Sequence, residues 1–183
     1  MTTQTRSKQS EKDKADPKVI DLLNHHLALT SDLYSQVKQA HWTVVGPNFI
    51  AIHRLFDEVA SMAAAHGDTM AERIRSLQAI PRGTIREAVK ESPLPEIAIG
   101  EIYEEGAIRA VLQRLEIYSH SVTDAIEECE KAEDPTTQDV FIDIQKEVDL
   151  QAYFLRSHLP SDAVMNESGD HAPSTRSSNG RHR

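Results

Sequence analysis

Cysteine is nearly absent: the single residue Cys129 in a chain of 183 excludes an intrachain disulfide. Its helical spacing reads as a small core residue, and its isolation fits a reducing compartment. Aromatic residues make up only 5% of the chain and there are just 7 glycines, which disfavours a twisted sheet and favours helices. No stretch approaches the ~20 apolar residues that a membrane span needs, and the polar first 18 residues do not resemble a signal peptide. The expectation is a soluble, cytoplasmic protein that makes no use of a membrane. Excess positive charge is also missing. A formal net charge of -9 should repel nucleic acid and anionic lipid while attracting cations, so any DNA contact would have to come from local basic segments.

The length suits one domain with a sizeable core. Residues 1–15 carry four basic side chains (Arg6, Lys8, Lys12, Lys14) against Glu11 and Asp13, and read as a flexible, weakly basic arm. Asp16-Pro17 is a helix start: Asp accepts free backbone N–H groups, and Pro needs no donor at the first helical position. A helix with Val19, Leu23, Leu27, Leu33 and Val37 inward then runs to His41 and Trp42, and Gly46-Pro47 breaks it. A second long helix extends from about Asn48 to Leu77. A proline-containing connection follows, in which the stretch after Thr84 forms about two helical turns. A third helix ends near Ala132. Asp134-Pro135 repeats the start signal and opens a fourth, which Pro160 ends. Two antiparallel pairs joined by a long crossover make an all-α, ferritin-like four-helix bundle over residues 16–160. Residues 161–183 read as a flexible tail, with Arg176, Arg181 and Arg183 partly balanced by Asp162, Glu167 and Asp170.

The chemistry gathers between His41 and Glu72. At ~100° per residue, with His53 set to 0°, Asp57 falls near ~40°, Asp68 near ~60° and Glu72 near ~100° of the helical wheel. The apolar residues of the same helix centre near ~240°, so this acidic face points away from the core. It also carries Ala60, Ser61, Ala64 and Ala71, small side chains that would let another backbone approach. Yet Asp57 and Asp68 are about 16 Å apart along the axis, too far to share one ion. An antiparallel two-fold contact with the same helix of a second copy would bring His53 and Asp57 of one chain to Asp68 and Glu72 of the other, with His41 joining from the neighbouring helix. Two imidazoles and three carboxylates suit Fe(II), and also admit Zn, Mn or Co. Read one at a time, the same residues are ordinary helix pairs and solvated acids; their convergence on one arc favours the metal.

The motif HWTVVGPNFIAIHRLFDE followed by DTMAER resembles the signature of the Dps family, the DNA-protecting mini-ferritins, and the likeness runs from about residue 17 to 159. The Glu-x-x-His motif of larger ferritins is absent. The resemblance implies a subunit with a short helix in its crossover, assembled as a hollow dodecamer. It implies ferroxidase ligands at His41, His53 and Asp57 of one subunit and Asp68 and Glu72 of its mate, with Trp42 beside them. The implied reaction is oxidation of Fe(II), preferably by hydrogen peroxide and more slowly by O2, with storage of ferric mineral. Acidic pores would draw on Glu133, Asp134, Asp139 and Asp143, residues that read equally as caps and surface. Competing readings are a nucleoid-compacting protein that binds DNA through its tails, and a cage that binds Zn or another metal with little iron oxidation.

Overall fold

The computed structural model describes residues 16–160; the arm at 1–15 and the tail at 161–183 lie outside the described residues. Helix α1 spans Pro17–Thr43, and Asp16 caps it by accepting from Lys18 N at 2.9 Å. Strand β1 (Val44–Val45) leads by a short turn to α2 (Phe49–Ser76), which packs along the length of α1. The crossover holds α3 (Ile85–Glu91), started by Thr84, and ends in β2 (Ile102–Tyr103). Helices α4 (Glu104–Lys131) and α5 (Pro135–Ser157) form the second packed pair. The ferritin-like architecture and its short extra helix are therefore as the spacing predicted.

The sequence did not announce the parallel pairing of β1 with β2, with Val44 opposite Ile102 and Val45 opposite Tyr103. Two residues per strand are too few to show a period of two. The pairing ties the end of α1 to the start of α4. The crossover is held further by polar side chains: Asn24 Oδ1 accepts from Arg82 N at 2.7 Å, and Ser92 Oγ donates to Asp32 at 2.6 Å. Asp32 in turn accepts from Gln36, which accepts from the buried Arg114 at 2.7 Å.

Apolar residues of all four long helices fill the centre, with Leu23, Leu29 and Leu33 of α1, Phe56, Val59 and Ile74 of α2 and Leu115, Val122, Phe141 and Val148 of the second pair in one buried cluster. Cys129 is buried among them, as its spacing predicted, and burial pushes its thiol up to about 11. Two histidines sit inside the bundle. Burial lowers the pKa of both His26 and His66, which favours neutral imidazoles. Asp134 proves to be a cap: it accepts from Thr137 N at 3.0 Å and from Arg73 of α2 at 3.1 Å, so its carboxylate is engaged within the subunit. No helix among the described residues is long and apolar enough to cross a membrane.

Candidate metal centre

His41 arrives on the last turn of α1, where the short link to α2 sets it beside the first turns of that helix. There His41 Nδ1 donates to the backbone carbonyl of His53 at 2.7 Å, and His53 Nδ1 donates to the carbonyl of His41 at 2.8 Å. A carbonyl can only accept, so each Nδ1 carries the hydrogen and each Nε2 keeps its lone pair. Neither Nε2 has a hydrogen-bond partner among the described residues. The two rings stack at 3.7 Å with an interplanar angle of 21°, and the Phe49 ring lies 5.0 Å from that of His53. Bonds of this type are what orient metal-binding imidazoles and fix their tautomer.

Asp57 stands one turn beyond His53 on the same face, and its exposed carboxylate takes Lys38 Nζ at 2.7 Å. The Lys38 hydrogen bond, followed by that ammonium's charge, holds the Asp57 carboxyl below its usual range. Lys38 lies 5.9 Å from the centre of the Trp42 ring, so a cation already occupies the space next to Asp57. Sequence reasoning passed over Lys38. The available signal was its position three residues before His41, on the same face of α1.

At the other end of α2, Asp68 and Glu72 are exposed and make no ion pair or side-chain hydrogen bond among the described residues. Asp68 borders a groove of about 610 Å³ whose wall is largely apolar, formed by Leu27, Tyr34, Ala64, Ile85 and Val89 among others. Ile85 and Val89 are 81% and 80% exposed, large apolar side chains with nothing over them. Of the small residues expected on this face, Ser61 and Ala64 are exposed and Ala71 is half-buried, while Ala60 is buried at 1% and belongs to the core. The helical wheel places Ala60 at the edge of the arc, where packing against the neighbouring helix covers it.

The structure thus sets His41 against His53, with Asp57 one turn beyond and held by Lys38, and leaves Asp68 and Glu72 apart from them. Among the described residues no three His, Cys, Asp or Glu side chains converge tightly enough to hold a metal within one chain.

Residues 20–163 match the family model for the ferritin-like domain. The chain is 33% identical over 155 residues to the DNA protection during starvation protein of Agrobacterium fabrum, covering 84% of this chain and 95% of that one. It is similar to the crystal structure of Dps from Staphylococcus aureus, with a TM-score of 0.75 and 30% identity over 81% of this chain and 99% of that chain. It is similar also to Dps from Microbacterium arborescens in the high iron form, with a TM-score of 0.73 and 32% identity over 79% of this chain and 97% of the other.

Proposed function

The chain belongs to the Dps family of the ferritin-like superfamily, and from that premise we propose that it takes Fe(II) as substrate and oxidises it at centres shared by two copies of the chain. Hydrogen peroxide is the preferred oxidant and O2 the slower one. The ferric product is stored as mineral inside a dodecameric cage, and DNA is protected because Fe(II) and peroxide are removed together.

The observation that carries this reading is the reciprocal Nδ1-to-carbonyl pair, which sets two imidazoles side by side with both Nε2 lone pairs unused and Asp57 one turn away. Histidines present only for packing would gain nothing from leaving a nitrogen unpaired at a half-buried site. His41, His53 and Asp57 supply one half of the donor set, and Asp68 and Glu72 of a second copy supply the other. The apolar groove beside Asp68 supports that second copy, since burial of Ile85 and Val89 would drive the contact that delivers the carboxylates. Nitrogen and oxygen donors without thiolate suit Fe(II), and Zn fits the same set as a competitor.

Each of the five residues positions iron; none is required as a nucleophile or a general base. The chain's acidic character draws Fe(II) in, and a metal reaching Asp57 would displace the Lys38 ammonium from its carboxylate. Stopped-flow absorbance on anaerobic Fe(II) mixed with peroxide tests the assignment. The His53→Ala/Asp57→Ala protein should oxidise iron more slowly by roughly 10–100-fold or more. Equal rates for the variant and the wild type would show that iron is oxidised elsewhere.

A further inference from the structure

The link that joins the two imidazoles is short: only residues 44–48 separate the end of α1 from the start of α2. His41 lies in the last turn of α1, where helix carbonyls lack an intrahelical donor. His53 Nδ1 takes up the carbonyl of His41, while His41 Nδ1 reaches back to that of His53. Both bonds form only in one register of the two helix ends, because a hydrogen bond weakens steeply with distance and angle.

A side chain from the other helix pair holds this link. Glu104, the first residue of α4, accepts from Asn48 N on Oε2 at 2.9 Å and from Asn48 Nδ2 on Oε1 at 3.1 Å. Asn is among the preferred caps of a helix N-terminus, yet the Asn48 side chain makes no such bond to α2. It gives up the local cap and donates to α4 instead. Gly46 fits the same arrangement. Its φ is +151°, and a Cβ there would stand 2.7 Å from Glu104 Oε2, so the carboxylate keeps its place only because residue 46 has no side chain. The pairing of Val45 with Tyr103 delivers Glu104 to this spot, and a negative charge is favoured at the start of α4.

We propose that Glu104 is a positioning residue for the metal centre: its carboxylate fixes the turn at 46–48 and thereby keeps His41 and His53 stacked as Nδ1–H tautomers, with both Nε2 lone pairs presented together. The inference rests on the metal-binding reading above. Without Glu104 the strand pairing remains, but both bonds at the entry to α2 are lost. The freed Asn48 side chain then returns to capping α2, and the link changes shape. The rings exchange toward the Nε2–H tautomer that free histidine prefers, and a nitrogen that bears a hydrogen has no lone pair for a metal. A bond that served stability alone could lie anywhere on the crossover, as that from Ser92 to Asp32 does. The bonds to Glu104 fall on the link that sets one imidazole against the other.

Two readouts on the assembled, full-length protein test this. In metal-free protein carrying nitrogen-15-labelled histidine, solid-state NMR distinguishes the tautomers, and the signals lost in His41→Gln and His53→Gln assign them. Wild type should show both rings as Nδ1–H. Glu104→Ala should convert a measurable share to Nε2–H, and Glu104→Gln, which keeps one acceptor oxygen, should fall between. Co(II), which suits the same donors, reports binding through its visible spectrum. Glu104→Ala should weaken it roughly 10-fold, the low end of what loss of an outer-shell partner costs. Ser92→Ala is the control for stability alone: it should lower the urea midpoint and leave tautomers and Co(II) affinity as in wild type. Unchanged tautomers in both Glu104 variants overturn the proposal, as does an equal change in Ser92→Ala; should Glu104→Ala not assemble, Glu104→Gln decides. If His53→Ala binds Co(II) as wild type does, the metal reading fails, and the tautomer readout still decides what Glu104 holds.

Discussion

At the N-terminal end of α2, His53 is stacked on His41 and hydrogen-bonded, and Asp57 holds Lys38; at its C-terminal end, Asp68 and Glu72 touch no partner side chain among the described residues. The face, the helix and the solvent are the same, so the difference lies in the neighbours. Helix α1 runs along α2 and presents Lys38 and His41 to its first turns, whereas beside the later turns it presents Leu27 and Tyr34, which wall an apolar groove. One end of this face is fixed by contacts within the subunit and the other is free of them. Under the proposed function this division would couple iron chemistry to association, because His41, His53 and Asp57 lie at one end of α2 and Asp68 and Glu72 at the other.

The sharpest way to break the comparison is complementation. His53→Ala/Asp57→Ala protein and Asp68→Asn/Glu72→Gln protein should each oxidise iron far more slowly than wild type, but after co-assembly in equal amounts about one quarter of the wild-type sites should be restored, because half of the dimers are mixed and each of these has one intact site. Iron oxidation by the mixture, measured against either parent, checks this; no recovery would show that the two ends of α2 do not combine across a pair of chains.

Stability should divide along the same line. Removing His41 leaves a void and strips the His53 Nδ1 neighbourhood of its stacked partner, so His41→Ala should cost about 1–3 kcal/mol in metal-free denaturant unfolding. Asp68→Ala should stay within about 0.5 kcal/mol. Comparable losses at the two positions would mean that Asp68 is already engaged.

The Asp57 and Lys38 pair adds a pH dependence with a defined sign. Its folded pKa is depressed below the unfolded value of 3.8, so its contribution is full above that value and fades as pH falls through the lower folded one. Carbon-detected NMR titration of metal-free protein should show Asp57 ionised at pH values where a free Asp is half protonated, and Lys38→Met should move it back up. A modest effect of opposite sign is expected just past the other end of α2, where Gln78 closes the helix in a left-handed conformation at φ 62°. Gln78→Gly should stabilise the fold by about 0.5–1 kcal/mol, read from the urea midpoint.

Much of this was legible in the residues. Apolar rows at helical spacing, Asp-Pro starts at Asp16 and Asp134, and the Gly46-Pro47 break are local signals, and they located the helices to within a few positions. The wheel put His53, Asp57, Asp68 and Glu72 on one face, and the rise per residue separated them into two half-sites. What stayed hidden depended on contacts between elements. Lys38 could not be assigned to Asp57, nor Tyr118 to His66, from spacing within either helix, because they are 19 and 52 residues apart in sequence.

The amino-acid sequence by itself determined which residues share a helix face and how far apart they lie along it, since helix rise and twist are properties of the backbone. The tertiary structure decided the rest: that the His41 and His53 rings stack with their Nε2 atoms free, that Lys38 reaches Asp57, and that a hydrogen-bonded line runs from Thr30 through Tyr118 and His66 to Glu147. The physical reason is that a hydrogen bond between helices requires a particular crossing register to within a few tenths of an ångström. Periodicity specifies the face that packs, but the packing of the whole core sets the register.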